Sequence, residues 1–166
     1  LGASSNRDSI RACTFQGGLE IAGGDYNVIA ECEFRGPRVS IGRSGSFAPV
    51  VGNKIISNHF DHLGEGVGYS ETEHFWIQGT CGDDARRVDS TTVQFNRIEF
   101  LGAASLTTLK SGPTLMCTTN QWSRGNRWYY HAAMADDYLF CLRDSTHAVT
   151  FDVDTVLALG TGTGTV

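Results

Sequence analysis

Ionisable side chains crowd into one stretch of this chain. Between Asp61 and Ser90 stand Asp61, His62, Glu65, Glu71, Glu73, His74, Asp83, Asp84, Arg86 and Arg87. Two carboxyls on opposite sides of a glycosidic bond can cleave it, at separations of about 5 to 5.5 Å for retention or 6.5 to 9.5 Å for inversion. Glu65 lies between glycines in Leu-Gly-Glu-Gly, which lets its backbone approach a ligand closely. Glu65 with Glu73 and Asp84 is therefore the candidate catalytic set, against the simpler reading that these carboxylates solubilise a surface loop. His59, His62 and His74 with Asp61 are the candidates for a metal. Strand residues three apart do not share a face and no closing ligand motif follows, so no metal and no cofactor is expected. No Gly-x-Ser-x-Gly elbow and no phosphate loop is present.

A second segment, Trp122 to His131, combines Trp128, Tyr129 and Tyr130 with Arg124, Asn126 and Arg127. Aromatic faces pack on the C–H side of sugars while Arg and Asn bond hydroxyls or acidic groups. On a strand Trp128 and Tyr130 share one face and Tyr129 the other. The expected glycan-binding set is Trp128, Tyr130, Arg127 and Asn126. The competing reading places these aromatics in a cap or a subunit interface.

A recurring phrase supplies the scaffold for both segments. It runs Ile10-x-x-Cys13-x-Phe15, then Ile29-x-x-Cys32-x-Phe34, then Ile55-x-x-Asn58-x-Phe60. Later copies are read as Val93 to Phe100, Leu115 to Trp122 and, more weakly, Ala148 to Val153. The aromatics at 15, 34, 60, 100 and 122 are separated by 19, 26, 40 and 22 residues. Solenoid repeats fall in this range, and like residues then stack on like about 4.8 Å apart. The expected fold is all-β, a right-handed parallel β-helix, with an antiparallel β-sandwich as the alternative. Phe15, Phe34, Phe60, Phe100 and Trp122 form the expected interior stack. Cys13, Cys32, Asn58 and Asn120 take the inward corner slot, where an amide can bond stacked neighbours. Residues 1–160 then make one domain with a long insertion at about 61–90, and 161–166 a tail or linker. Helix is expected at most around Tyr130 to Ala135.

The totals agree with one globular unit of 166 residues, 20 of them glycine and 3 proline. A net charge of -5 and scattered Arg argue against a nucleic-acid partner. No run is long and apolar enough for membrane insertion. Five cysteines without a CxxC read most simply as free thiols. The chain starts at Leu1 without a basic or apolar leader, which reads as a piece of a longer polypeptide.

Gly52-Asn53-Lys-Ile55-Ile-Ser-Asn58-His-Phe60 and Asn96-Arg-Ile98-Glu-Phe100-Leu-Gly102 resemble the Asn-x-Ile-x-x-Asn-x-Phe-x-Gly phrase of pectate-lyase-like β-helices. Across residues 8–125 the chain looks most like the β-helical part of a bacteriophage tailspike or tail fibre. That resemblance implies a homotrimeric virion component, assembled in the host cytoplasm with other tail proteins. It implies receptor binding to bacterial cell-surface polysaccharide outside the cell. The alternative it carries is a polysaccharide depolymerase, hydrolase or lyase, using carboxylates of the insertion. The calcium-binding Asp clusters and catalytic Arg motif of pectate lyases are absent from the sequence, so those roles do not carry over.

Overall fold

The computed structural model describes residues 1–2, 5–42, 49–63, 75–80, 88–101, 108–109, 114–131, 133–134, 141–143 and 146–158. Among them every regular element is a strand and every strand pairing is parallel. The antiparallel sandwich is thereby corrected, because parallel neighbours require the chain to cross back before each new strand. The helix expected near Tyr130 to Ala135 is also corrected: strands Arg127–Tyr130 and Ala133–Met134 occupy that region.

Successive passes of the chain lay one strand in each of three main sheets. The first sheet orders Ser9–Arg11, Val28–Ala30, Lys54–Ile56, Thr92–Gln94, Trp122–Arg124 and Thr150–Asp152. The second orders Thr14–Phe15, Glu33–Arg35, His59–Leu63, Arg97–Phe100, Arg127–Tyr130 and Thr155–Ala158. The third holds Leu19–Ile21, Val39–Ile41, Phe75–Gln78, Thr114–Met116 and Cys141–Arg143. This arrangement is consistent with a parallel solenoid. Phe75–Gln78 and Val88–Asp89 lie inside the stretch expected as an insertion, so that stretch contributes strands to the sheets.

The register explains the recurring phrase and corrects its later copies. Ile10, Ile29, Ile55, Val93, Ser123 and Phe151 align in the first sheet. Phe15, Phe34, Phe60, Ile98, Trp128 and Val156 align in the second. Each pass thus carries a six-residue unit from one inward residue to the next. The spacing between equivalent slots is 19, 26, 38, 30 and 28 residues. The fifth copy is Ser123 to Trp128, six to eight residues beyond the one read from the sequence.

Left-handed backbone marks both ends of the first-sheet strand in every pass. The pairs are Arg7 and Ala12, Tyr26 and Glu31, Gly52 and Ser57, Ser90 and Phe95, Asn120 and Gly125, and Ala148 and Val153, with φ between 48 and 66. Such conformations cost a non-glycine residue roughly 1–2 kcal/mol, so the bends persist only because the surroundings hold them. The residue after the second bend does so. Asn58, Asn96 and Asn126 are buried there and form a ladder. Cys32 N–H donates to Asn58 Oδ1 at 2.9 Å, Asn58 N–H to Asn96 Oδ1 at 2.8 Å, and Asn96 N–H to Asn126 Oδ1 at 3.0 Å. Their side-chain amides donate to the carbonyls of Ile29, Ile55 and Val93. Asp154 accepts from Asn126 at the last step. A second ladder after the first bend joins Asp8, Asn27 and Asn53.

Two expected ladder members are corrected. Asn120 is itself a left-handed bend residue, exposed, and its amide donates to Asp89 Oδ1. Cys13 holds the slot in the first described pass but is exposed, whereas Cys32 is buried. The expectation of uniformly free thiols is also corrected, because Cys117 is disulfide-bonded.

The core lies between the sheets. Phe15 stacks on Phe34 at 4.9 Å and Phe34 on Phe60 at 5.0 Å. Phe100 stacks instead on Tyr130 at 4.8 Å, one residue pair further along the same strands. Trp122 is corrected out of the stack: it is 44% exposed, and Trp128 takes the aligned interior position at 2%. Fully burying each large apolar side chain stabilises the fold by about 1.5–3 kcal/mol.

Candidate functional site

Strand alternation in the second sheet sends Phe34, Phe60, Ile98, Phe100, Trp128 and Tyr130 inward. The intervening residues, Glu33, Arg35, His59, Asp61, Arg97, Glu99, Arg127 and Tyr129, stand on the outer face. Registered pairing sets His59 beside Arg97, Arg97 beside Arg127, and Glu99 beside Tyr129. Residues 30 to 40 apart in sequence thereby form one surface.

Glu99 is the centre of that surface. Only 8% of it is exposed, unusual for a carboxylate. Its Oε1 accepts from Arg97 Nε at 2.6 Å and meets His59 Nε2 at 2.8 Å, and its Oε2 meets His131 Nε2 at 3.0 Å. Burial alone pushes the Glu99 carboxyl up. The hydrogen bonds from His59 and Arg97, the Arg97 charge and the His131 hydrogen bond outweigh it, and the carboxyl is held below its ordinary value. The hydrogen bond to Glu99 in turn raises Arg97. The Arg97 guanidinium carbon also sits 4.8 Å from the centre of the Tyr129 ring, a cation–π contact.

A bulge completes the cluster. The pairing of His59–Leu63 with Arg97–Phe100 shifts register between Ile98 and Phe100, so that Asp61 and His62 together oppose Glu99. His62 takes φ 69 to allow this. Bulges of this kind re-aim side chains at functional edges. Here His59, Asp61 and Glu99 each bring a ligand atom within 4.8 Å of the others. An ionised, nearly buried carboxylate among two imidazoles, a second carboxylate and a guanidinium can bind hydroxyls, hold a cation or accept a proton.

Trp128, Tyr130 and Asn126 are 2%, 1% and 0% exposed and cannot meet a glycan from these positions. The shared face of Trp128 and Tyr130 is the inward one, fixed by alignment with Ile98 and Phe100. Burial pushes the Tyr130 hydroxyl up as well. Of that expected set Arg127 alone is exposed on the outer face, beside the half-buried Tyr129. Glu65, Glu73 and Asp84 lie outside the described residues. Glu99 and Arg97 do not stand out in the sequence, and Tyr129 and His131 fall in the Trp122 to His131 segment without entering its expected binding set, because the cluster forms only when strands of three passes align. The Arg-x-Glu alternation of residues 97–99, in register with His59-x-Asp61, was the available signal. Set against known proteins, no family model matches the chain, no curated protein matches its sequence and no solved structure matches its fold.

Proposed function

We propose that the chain is a right-handed parallel β-helical segment of a phage tailspike or tail fibre that binds bacterial surface polysaccharide. In this reading it serves as a homotrimeric virion component beside other tail proteins and acts outside the host. The observation that carries the binding role is the outer face of the second sheet. His59, Arg97, Tyr129 and His131 surround Glu99 there, Arg127 lies beside Arg97, and together they offer an aromatic ring and a fixed set of donors and acceptors. Such groups bond sugar hydroxyls while the aromatic covers the apolar side of the ring. The stacked sheets add support, because a rigid face holds these groups in register without loop ordering.

The test is retention of capsular polysaccharide or lipopolysaccharide from a panel of bacteria on the immobilised chain. Binding that falls about tenfold in Arg127→Ala and in Tyr129→Ala supports the assignment. Absence of binding across a panel that includes the host overturns it. Release of reducing ends would replace it with depolymerase activity.

A further inference from the structure

The cluster at Glu99 has the donors and the arrangement of a metal site. A ring nitrogen of His59, an Asp61 carboxylate oxygen and a Glu99 carboxylate oxygen lie within 4.8 Å of one another. They come from two neighbouring strands, and the Asp61–His62 bulge places Asp61 opposite Glu99. Glu99 is nearly buried while the side chains of His59 and Asp61 remain 37% and 24% exposed, so the group is walled on one side and open to solvent on the other. His131 holds the far oxygen of Glu99 at 3.0 Å, the outer support that ligating carboxylates commonly have.

We propose that His59, Asp61 and Glu99 bind a divalent cation of the zinc class, with Arg97 as the competing cation. One imidazole with two carboxylates suits Zn²⁺ or Mn²⁺ better than Ca²⁺ or Mg²⁺, which prefer all-oxygen shells. Three protein ligands leave coordination positions open toward solvent, as in sites that exchange water for a ligand. Arg97 Nε shares Glu99 Oε1 with His59, so a metal must displace that hydrogen bond. The Tyr129 ring gives the released guanidinium a second seat. The metal reading stands independently of glycan binding, since the same groups face each other with or without a sugar.

Calorimetric titration of the chelator-treated full chain with ZnSO₄ tests the site, with Co²⁺ absorption as a readout of the ligand set. Saturable binding that weakens roughly 10- to 100-fold in His59→Ala, in Asp61→Asn and in His131→Ala is expected. Arg97→Gln, which removes the competitor, should bind more tightly than the parent chain. Circular dichroism of each variant separates ligand loss from unfolding, and His147→Ala should leave the affinity unchanged. No binding up to about 1 mM Zn²⁺ overturns the site, as does binding that persists unaltered in the folded His59→Ala and Asp61→Asn variants.

Discussion

The side-chain oxygen of Asn96 accepts both the backbone N–H of Asn58, at 2.8 Å, and its side-chain amide, at 3.1 Å, across 38 residues of chain. Asn96 also donates to Ile55 O and Asn126 Oδ1. Replacing it by Ala strands buried donors and a buried carbonyl, each worth about 1–3 kcal/mol when unsatisfied. Asn96→Ala should therefore lose at least about 3 kcal/mol in urea unfolding. Asn120→Ala, at an exposed bend, should lose much less. Equal losses would remove the ladder from its place in the stability of the fold.

Gly125 has φ 62, and a Cβ there would come within 2.7 Å of the Phe95 ring. Gly52 stands in the same relation to Tyr26, at 2.5 Å. Gly125→Ala should cost more than the roughly 1–2 kcal/mol of its backbone conformation, because the ring must also move. Removing the ring in Phe95→Ala/Gly125→Ala should return part of that loss, giving a coupling above about 0.5 kcal/mol in a double-mutant cycle. Strict additivity would show that the ring and the glycine do not interact.

Glu99 is held below its ordinary value of 4.5, so its ionised form favours the folded state. That stabilisation is complete above the ordinary value and drains away as pH falls through the lowered one. Glu99→Gln should cost about 2 kcal/mol at pH 7, from lost charge-assisted hydrogen bonds, with the deficit narrowing as the solution is acidified below 4.5. Unfolding midpoints of both chains across that window supply the measurement. A deficit independent of pH would place the effect in packing instead of ionisation.

Trp128 and Trp122 separate interior from surface within one pass of the chain, on the strands Arg127–Tyr130 and Trp122–Arg124 of two different sheets. Trp128→Ala should lose about 3–5 kcal/mol and Trp122→Ala under about 1.5 kcal/mol. Thermal unfolding of the two variants decides it, and the reverse order would restore Trp122 to the stack.

The first three passes were legible because inward aliphatic, corner residue and inward aromatic recur there at constant spacing. The later passes slipped. Phe95 and Gly125 occupy bend positions where the earlier passes carry Ala12, Glu31 and Ser57, and Ser123 replaces the inward aliphatic. Phe100 and Trp122 fit the phrase as aromatics, although Ile98 and Trp128 carry the register. The Glu99 cluster was hidden for a different reason. Its members belong to three passes and meet only when those strands align, whereas the charge density of residues 61–90 is visible in one glance along the chain.

The unequal intervals between passes, from 19 to 38 residues, fall outside the six-residue unit that joins the first two sheets. The step between the first two sheets is therefore kept constant, while the segments that join it to the third sheet and to the next pass vary in length. Doubling a connecting segment adds only about 0.6 kcal/mol of closure entropy. A connecting segment can therefore change length at small thermodynamic expense while the six-residue units on either side of it keep their register.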